Sequence, residues 1–581
     1  MLAPDDRKVL LDLLRPPPDM RLDMAVATTF TLDLEAALVI PLAFTPLETN
    51  AAGDPIAVLE AIRSITDRFT VFCQAGEMRL PAAASDLFTF LGPIVHEVKR
   101  PRPGHLFHPK LWLLRYLSDD ALGALRLVVA SRNLTNDAGW DAVVHFDAEI
   151  GTSRDPDNKP LVDLLGWCRD NTTRAMTDQR RDALDRLAQD VWRADWWAAE
   201  DAPHFEFHVL GVSNRTPGPD FTGHRHLVIS PFVTDDGIDL VAPSSNRTVI
   251  SRPAELDKLT PATLASFAYR TISSLDAVED GVAPTLGDLH AKIVIVEQAK
   301  KTRTFVGSAN ATGAAFNGNI EVLVELIGPR KLIGIDAALE GMGPLLEDCA
   351  LTGGATPSAA DELQRQLDDL LRAAAEVDNV ITPHLDDDGA YRVIVQTEPL
   401  LPDLQGIGGS LELLSRPGHA ITLDPGVGMY ESFTGVPLAD ITPFLVLRIE
   451  LAGPPRTAGA AVLRAHLHHD VPGRFDAVIA RQVDTPEKFL RFVYLLLGLS
   501  APAAQANGGS GDDGSFGAWL GTGSTSLFES LVRALATNPA ALDGLASLVE
   551  RLLATEEGRA ILPNGFEDLW ASVMQAKALV G

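Results

Sequence analysis

Residues Leu289–Glu321 read LHAKIVIVEQAKKTRTFVGSANATGAAFNGNIE. The first half is apolar and β-branched, which predicts a strand. Side chains alternate across a strand, so His290 and Lys292 are expected on one face and Ala291 and Ile293 on the other. A basic turn, Lys300-Lys301-Thr302-Arg303, lets the segment to Val306 return alongside. The tight turn Gly307-Ser308-Ala309-Asn310 then brings Ser308 and Asn310 to the same end of the sheet. An imidazole, an ammonium, a hydroxyl and a carboxamide gathered at one sheet edge suit a doubly charged phosphate ester.

The pattern occurs twice. His108-Pro109-Lys110 matches His290-Ala291-Lys292, and Ser131-Arg132-Asn133 matches Ser308-Ala309-Asn310. Upstream, VATTFT (26–31) is echoed by VISPFV (228–233). Three landmarks in the same order imply an internal duplication. Phosphodiester cleavage needs a nucleophile, an acid for the leaving oxygen, and positive charge for the non-bridging oxygens. Either histidine can serve as nucleophile or acid, because imidazole titrates near neutrality. Two lysines with Ser and Asn donors can neutralise the equatorial oxygens. Ser131, Arg132 and Ser308 are expected to touch substrate, although Arg132 reads equally well as a solvated arginine. Asp141 and Glu321, downstream of the two motifs, are the acids available to hold the imidazoles in the right tautomer.

Together these motifs resemble the phospholipase D superfamily over about residues 20–330. Members usually carry Asp five positions after the Lys, where this chain has Arg115 and Glu297. In that respect it is similar to the tyrosyl-DNA phosphodiesterase branch, as is the segment SRNLTNDAGWD (131–141). The resemblance implies an α/β fold of two pseudo-symmetric lobes sharing one cleft. Catalysis would fall to His108, Lys110, Asn133, His290, Lys292 and Asn310, with no cofactor and no metal. It also implies a covalent phosphohistidine, commonly on the first motif, making His108 the nucleophile and His290 the general acid.

The expected organisation is a first lobe over 1–155, a helical connector over 156–203 and a second lobe over 204–330. A helix and a β-rich accessory domain follow over 331–485, then a helical C-terminal region over 486–581 that contains a linker at 501–517. Strands are expected at Met24–Thr31, Phe69–Gln74, Leu106–Tyr116, Leu125–Ala130, Val143–Ile150, Leu227–Phe232 and Thr248–Ser251, with a helix at Pro261–Ser273. Ser526–Glu529 matches a capping box.

A chain of 581 residues exceeds one core. Its net charge of −29 argues against indiscriminate binding to nucleic acid or anionic membrane, but leaves room for a local basic site. Lys99, Arg100, Arg102, His105, His108 and Lys110 crowd one such span, which favours a polyanionic substrate. Three scattered cysteines exclude a disulfide scaffold. The charged, proline-broken N-terminus is not read as a signal peptide, and no apolar run reaches the roughly 20 residues of a spanning helix. A cytoplasmic enzyme cleaving DNA or RNA is the leading expectation, with a helicase or defence-system protein as a further partner. The alternatives are a lipid-cleaving phosphodiesterase and a weakly catalytic scaffold for nucleic acid or a partner. His466-Leu467-His468-His469-Asp470 has metal-ligand residue types but reads as a surface strand. Gly521-Thr522-Gly523-Ser524 reads as a linker end and helix cap, not a phosphate loop.

Overall fold

The computed structural model describes the chain except residues 1–9, 46–54, 119, 121–122, 138, 214–217, 273–288, 300, 454–455, 497–530, 533, 536–538, 564 and 581. The 501–517 linker, Gly521–Ser524 and the Ser526–Glu529 capping box lie outside the described residues.

The architecture is mixed α/β, and two sheets carry the first 350 residues. In the first, Met20–Thr29 sits between Phe69–Gln74 and Leu111–Ser118; Val95–Val98 lies beyond the former, and Gly123–Ala130, Val143–Ile150 and Ala194–Trp196 beyond the latter. In the second, Arg225–Ile229 sits between Arg247–Ile250 and Ile293–Gln298; Ala268–Ile272 and Leu346–Glu347 lie beyond the former, and Lys301–Gly307, Glu321–Pro329 and His204–Leu210 beyond the latter. Both therefore have three parallel strands on one side and an antiparallel meander on the other. Phe69–Gln74 is buried along its whole length, as a strand covered on both faces must be.

The sheets share a core. Val26, Leu113 and Val129 of the first pack with Phe207, Val322 and Val324 of the second, and with Leu164 and Leu187. The last two come from helices Lys159–Asp170 and Asp178–Trp192 in the expected connector, which also supplies the edge strand Ala194–Trp196.

Three local expectations need correction. Each His-x-Lys motif precedes its strand, because the strands begin at Leu111 and Ile293. Proline 109 has no N–H for a ladder, and His108 N donates instead to Ile320 O at 2.9 Å. The helix expected over Pro261–Ser273 stops at Leu264, and the aromatic, β-branched run Ala268–Ile272 joins the sheet. Finally, the upstream echo is displaced by one residue. Thr28 pairs with Leu111 and Ile229 with Ile293, so Thr29, not Thr28, corresponds to Ser230.

Beyond residue 358, helix Ala359–Glu376 packs on a four-stranded and a six-stranded sheet. The six-stranded sheet includes Leu32–Asp33 and Met78–Arg79 from the N-terminal part of the chain. Helices Arg474–Gln482, Pro486–Leu496, Pro539–Leu553 and Phe566–Val580 share one core with Leu14, Phe69 and Trp112.

Candidate active site

Four single bridges frame the site, two within the halves and two between them. Leu32 pairs with Leu134, and Val233 with Ala311, just after Asn133 and Asn310. Phe107 pairs with Ile320, and Trp140 with Leu289. The last two cross between the halves: the first sets His108 beside Glu321, and the second joins the chain just ahead of His290 to the chain just ahead of Asp141.

The hydroxyl turns repeat as well. Thr29 Oγ1 donates to Thr31 O and accepts Leu134 N–H at 3.0 Å; Ser230 Oγ donates to Phe232 O and accepts Ala311 N–H at 3.0 Å. Ser131 Oγ accepts Ala142 N–H and Ser308 Oγ accepts Val322 N–H, both at 2.9 Å. These small polar residues satisfy backbone groups where the chain leaves the sheet.

His108 is held across the halves. Its Nδ1 lies 2.9 Å from Glu321 Oε2, and its Nε2 is 2.8 Å from Lys110 Nζ. Glu321 also accepts from Ser308 Oγ and, at 3.2 Å, from Asn319 Nδ2. Burial pushes His108 down to about 4, helped by Lys110 and Lys292 and opposed by Glu321. The imidazole is therefore neutral, with its proton on Nδ1 facing the carboxylate. Burial alone would raise Glu321, but His108, Lys110 and Ser308 hold it below the usual carboxylate value.

Lys292 Nζ donates to Ser131 O at 3.2 Å and to His290 O at 2.8 Å, so it too crosses between halves. Burial lowers Lys292 to about 8, against Asp141 and Glu321. Burial and the nearby Lys292 also push Lys110 down. Asp141 is raised to about 6 by burial, against Arg132 and Lys292.

Asn133 and Asn310 each leave a buried carboxamide oxygen without a hydrogen-bond partner. Side-chain amides can turn to present either O or N–H₂, so both are available to a ligand. Arg132 is engaged, with Nη1 3.5 Å from Asp141 and Nη2 donating to Thr135 O at 3.0 Å. Its counterpart Ala309 makes no such pair, and the two halves differ there. His290 backbone N donates to Trp140 O, and its side chain acts electrostatically on Asp137.

The basic span ahead of His108 is not one substrate-facing patch. Arg100 pairs with Glu376 at 3.0 Å, and Arg102 donates to Asn317 O at 2.6 Å. Lys99 and Arg102 are exposed. His466, His468 and His469 are likewise exposed on and beside a two-residue strand.

Several contributors escaped sequence reasoning. Phe30 packs its ring 5.2 Å from that of His108, and Arg372 lies 5.6 Å over Phe30. Asn319, two residues before Glu321, could have been found as part of an N-x-E pattern. Arg372, some 340 positions from Phe30, had no local signal.

No family model and no curated protein matches the chain. Among solved structures it is similar to the polyphosphate kinase from Porphyromonas gingivalis, at 13% identity and a TM-score of 0.30. That alignment covers 55% of this chain and 42% of the kinase, less than half of its length.

Proposed function

We propose that the chain is a phosphodiesterase of the phospholipase D type that cleaves nucleic acid, its two sheets forming pseudo-symmetric lobes around one cleft. The observation that carries this reading is the crossed wiring: His108 on Glu321, and Lys292 on Ser131. A neutral imidazole with Nδ1–H on a carboxylate has its lone pair on Nε2, the atom that must attack phosphorus. Lys110 now occupies that lone pair. A bound phosphate offers Lys110 a non-bridging oxygen, and Nε2 is released.

His108 Nε2 then forms the P–N bond as the P–O bond to the leaving group breaks, and His290 gives that oxygen a proton. Water, losing a proton to His290, next cleaves the P–N bond and restores His108. Lys110, Lys292 and the two asparagines stabilise the charged oxygens. Because lysines supply that charge, the reaction is proposed to need no added metal. The nucleic-acid substrate, rather than a lipid headgroup, is carried over from the sequence resemblance to the tyrosyl-DNA phosphodiesterase branch.

The test is turnover of fluorescent single- and double-stranded DNA and RNA in EDTA, with His108→Ala and His290→Ala. Cleavage should persist in EDTA and fall by roughly 10²–10⁴-fold or more in each variant. Loss of activity in EDTA, or unchanged activity in both variants, would sink the two-histidine mechanism. Cleavage of phospholipid vesicles with no nuclease activity would transfer the assignment to the lipid reading.

A further inference from the structure

Strands His204–Leu210 (HFEFHVL) and Glu321–Pro329 pair antiparallel, with Glu206 opposite Glu325 and His208 opposite Leu323. Opposed and alternate residues share a face, so Glu206, His208 and Glu325 converge on one side of the sheet. One ligating atom from each lies within 4.8 Å of the others. Glu325 is 4% exposed and His208 8% exposed, whereas Glu206 opens to solvent.

Like charges directly opposite each other destabilise an antiparallel pair, and here one of them is buried. The nearby cation answers this only in part. Arg303 Nε stands 3.9 Å from Glu325 Oε1 and makes no hydrogen bond. The rest of its guanidinium is committed to Asp220 at 3.1 Å and Thr222 O at 2.6 Å. Glu206 and Glu325 thus share one strand face, and the guanidinium beside Glu325 is already committed to Asp220 and Thr222. His208 adds a ring nitrogen 2.8 Å from Glu325 Oε2.

We propose that Glu206, His208 and Glu325 form a binding site for a divalent transition metal, best suited to zinc. Zinc takes imidazole nitrogen and carboxylate oxygen at about 2.0–2.2 Å, which sets tetrahedral ligand atoms about 3.3 Å apart. The His208 ring nitrogen is 2.8 Å from Glu325 Oε2, and all three ligand atoms lie within 4.8 Å of one another, so small side-chain shifts reach that value. Three protein ligands leave the fourth position to water. The site shares no residue with the phosphodiester cleft. Glu325 lies four residues from Glu321 on the same strand face, roughly 13 Å away. Its role is to staple His204–Leu210, an edge strand, to the rest of the second sheet.

The experiment is calorimetric titration of the chelator-stripped full chain with zinc, with thermal melts alongside. The wild type should bind one equivalent and melt higher with zinc. Glu206→Gln, at an exposed position, should weaken binding at least tenfold while the metal-free melt stays the same or rises as repulsion is relieved. His208→Gln should abolish that equivalent, and a His466→Ala/His468→Ala variant should retain it. No saturable equivalent, equal binding in Glu206→Gln and His208→Gln, or loss in the His466/His468 variant would each overturn the proposal.

Discussion

His108 and Lys292 are both buried, and burial lowers both, leaving them on opposite sides of neutrality. His108 falls to about 4 and Lys292 to about 8. For the proposed reaction His108 must be neutral, so activity is lost as pH falls through about 4. Lys292 must be charged, so activity is lost as pH rises through about 8. The acid limb of kcat/KM on the free enzyme is expected near 4, and Lys292 contributes an alkaline limb near 8 alongside that of the general acid His290. Lys292→Arg should lower the rate and move the alkaline limb upward, since guanidinium stays charged. A rate and an alkaline limb both unchanged by that substitution would remove Lys292 from the mechanism. At this scale the sequence was informative about residue types, because His, Lys, Ser and Asn recur in order. It was silent on pairing: both Asp141 and Glu321 were visible as acids, but nothing local says that Glu321 serves the first histidine. That assignment comes from the Phe107–Ile320 bridge, which joins residues more than 200 positions apart.

The hairpin of Lys301–Gly307 and Glu321–Pro329 is the element that places Ser308 and Glu321 together. Gly307 faces Leu323 there, and a Cβ on it would sit 2.1 Å from Val322 O. Gly307→Ala must therefore push the strands apart where Ser308 Oγ and Val322 N–H meet. A stability loss of about 1–3 kcal/mol in denaturant unfolding is expected, with a larger proportional loss of activity. Wild-type stability and turnover in that variant would mean the hairpin does not set the site. Element identity was legible wherever hydrophobic runs were long: Phe69–Gln74 and Val143–Ile150 begin and end where their patterns do. The ends near the motifs were not, because His-x-Lys lies in an apolar stretch that looks continuous with its strand. Only the partner's carbonyls, Ile320 O and Trp140 O, show that the backbone there bonds across the halves.

Across the whole molecule, Glu97 ties the first sheet to the C-terminal sheets. It accepts Gly76 N–H at 3.1 Å and Arg464 N–H at 2.8 Å. Burial raises it to about 7, even with those bonds and with Arg174 and Arg464 nearby. A carboxyl raised in the folded state contributes its full stability below its ordinary value of 4.5, and that contribution is lost as pH rises through about 7. The shift corresponds to about 3 kcal/mol. Glu97→Gln should thus flatten the fall in melting temperature between pH 5 and pH 8, whatever its effect on absolute stability; an unchanged slope would dismiss this linkage. Such ties were illegible in sequence: Glu97 and Arg464, or Arg100 and Glu376, leave no periodicity for a local pattern to expose. The same long reach governs the histidine. A chain that has folded only its first sheet carries His108 with no Glu321 to orient it and no Lys292 on Ser131. During synthesis the ribosome releases that first sheet well before residue 321 emerges. Under the proposed mechanism, any chain that ends before residue 321 lacks the carboxylate that orients His108 and is expected to be inactive without a separate inhibitor.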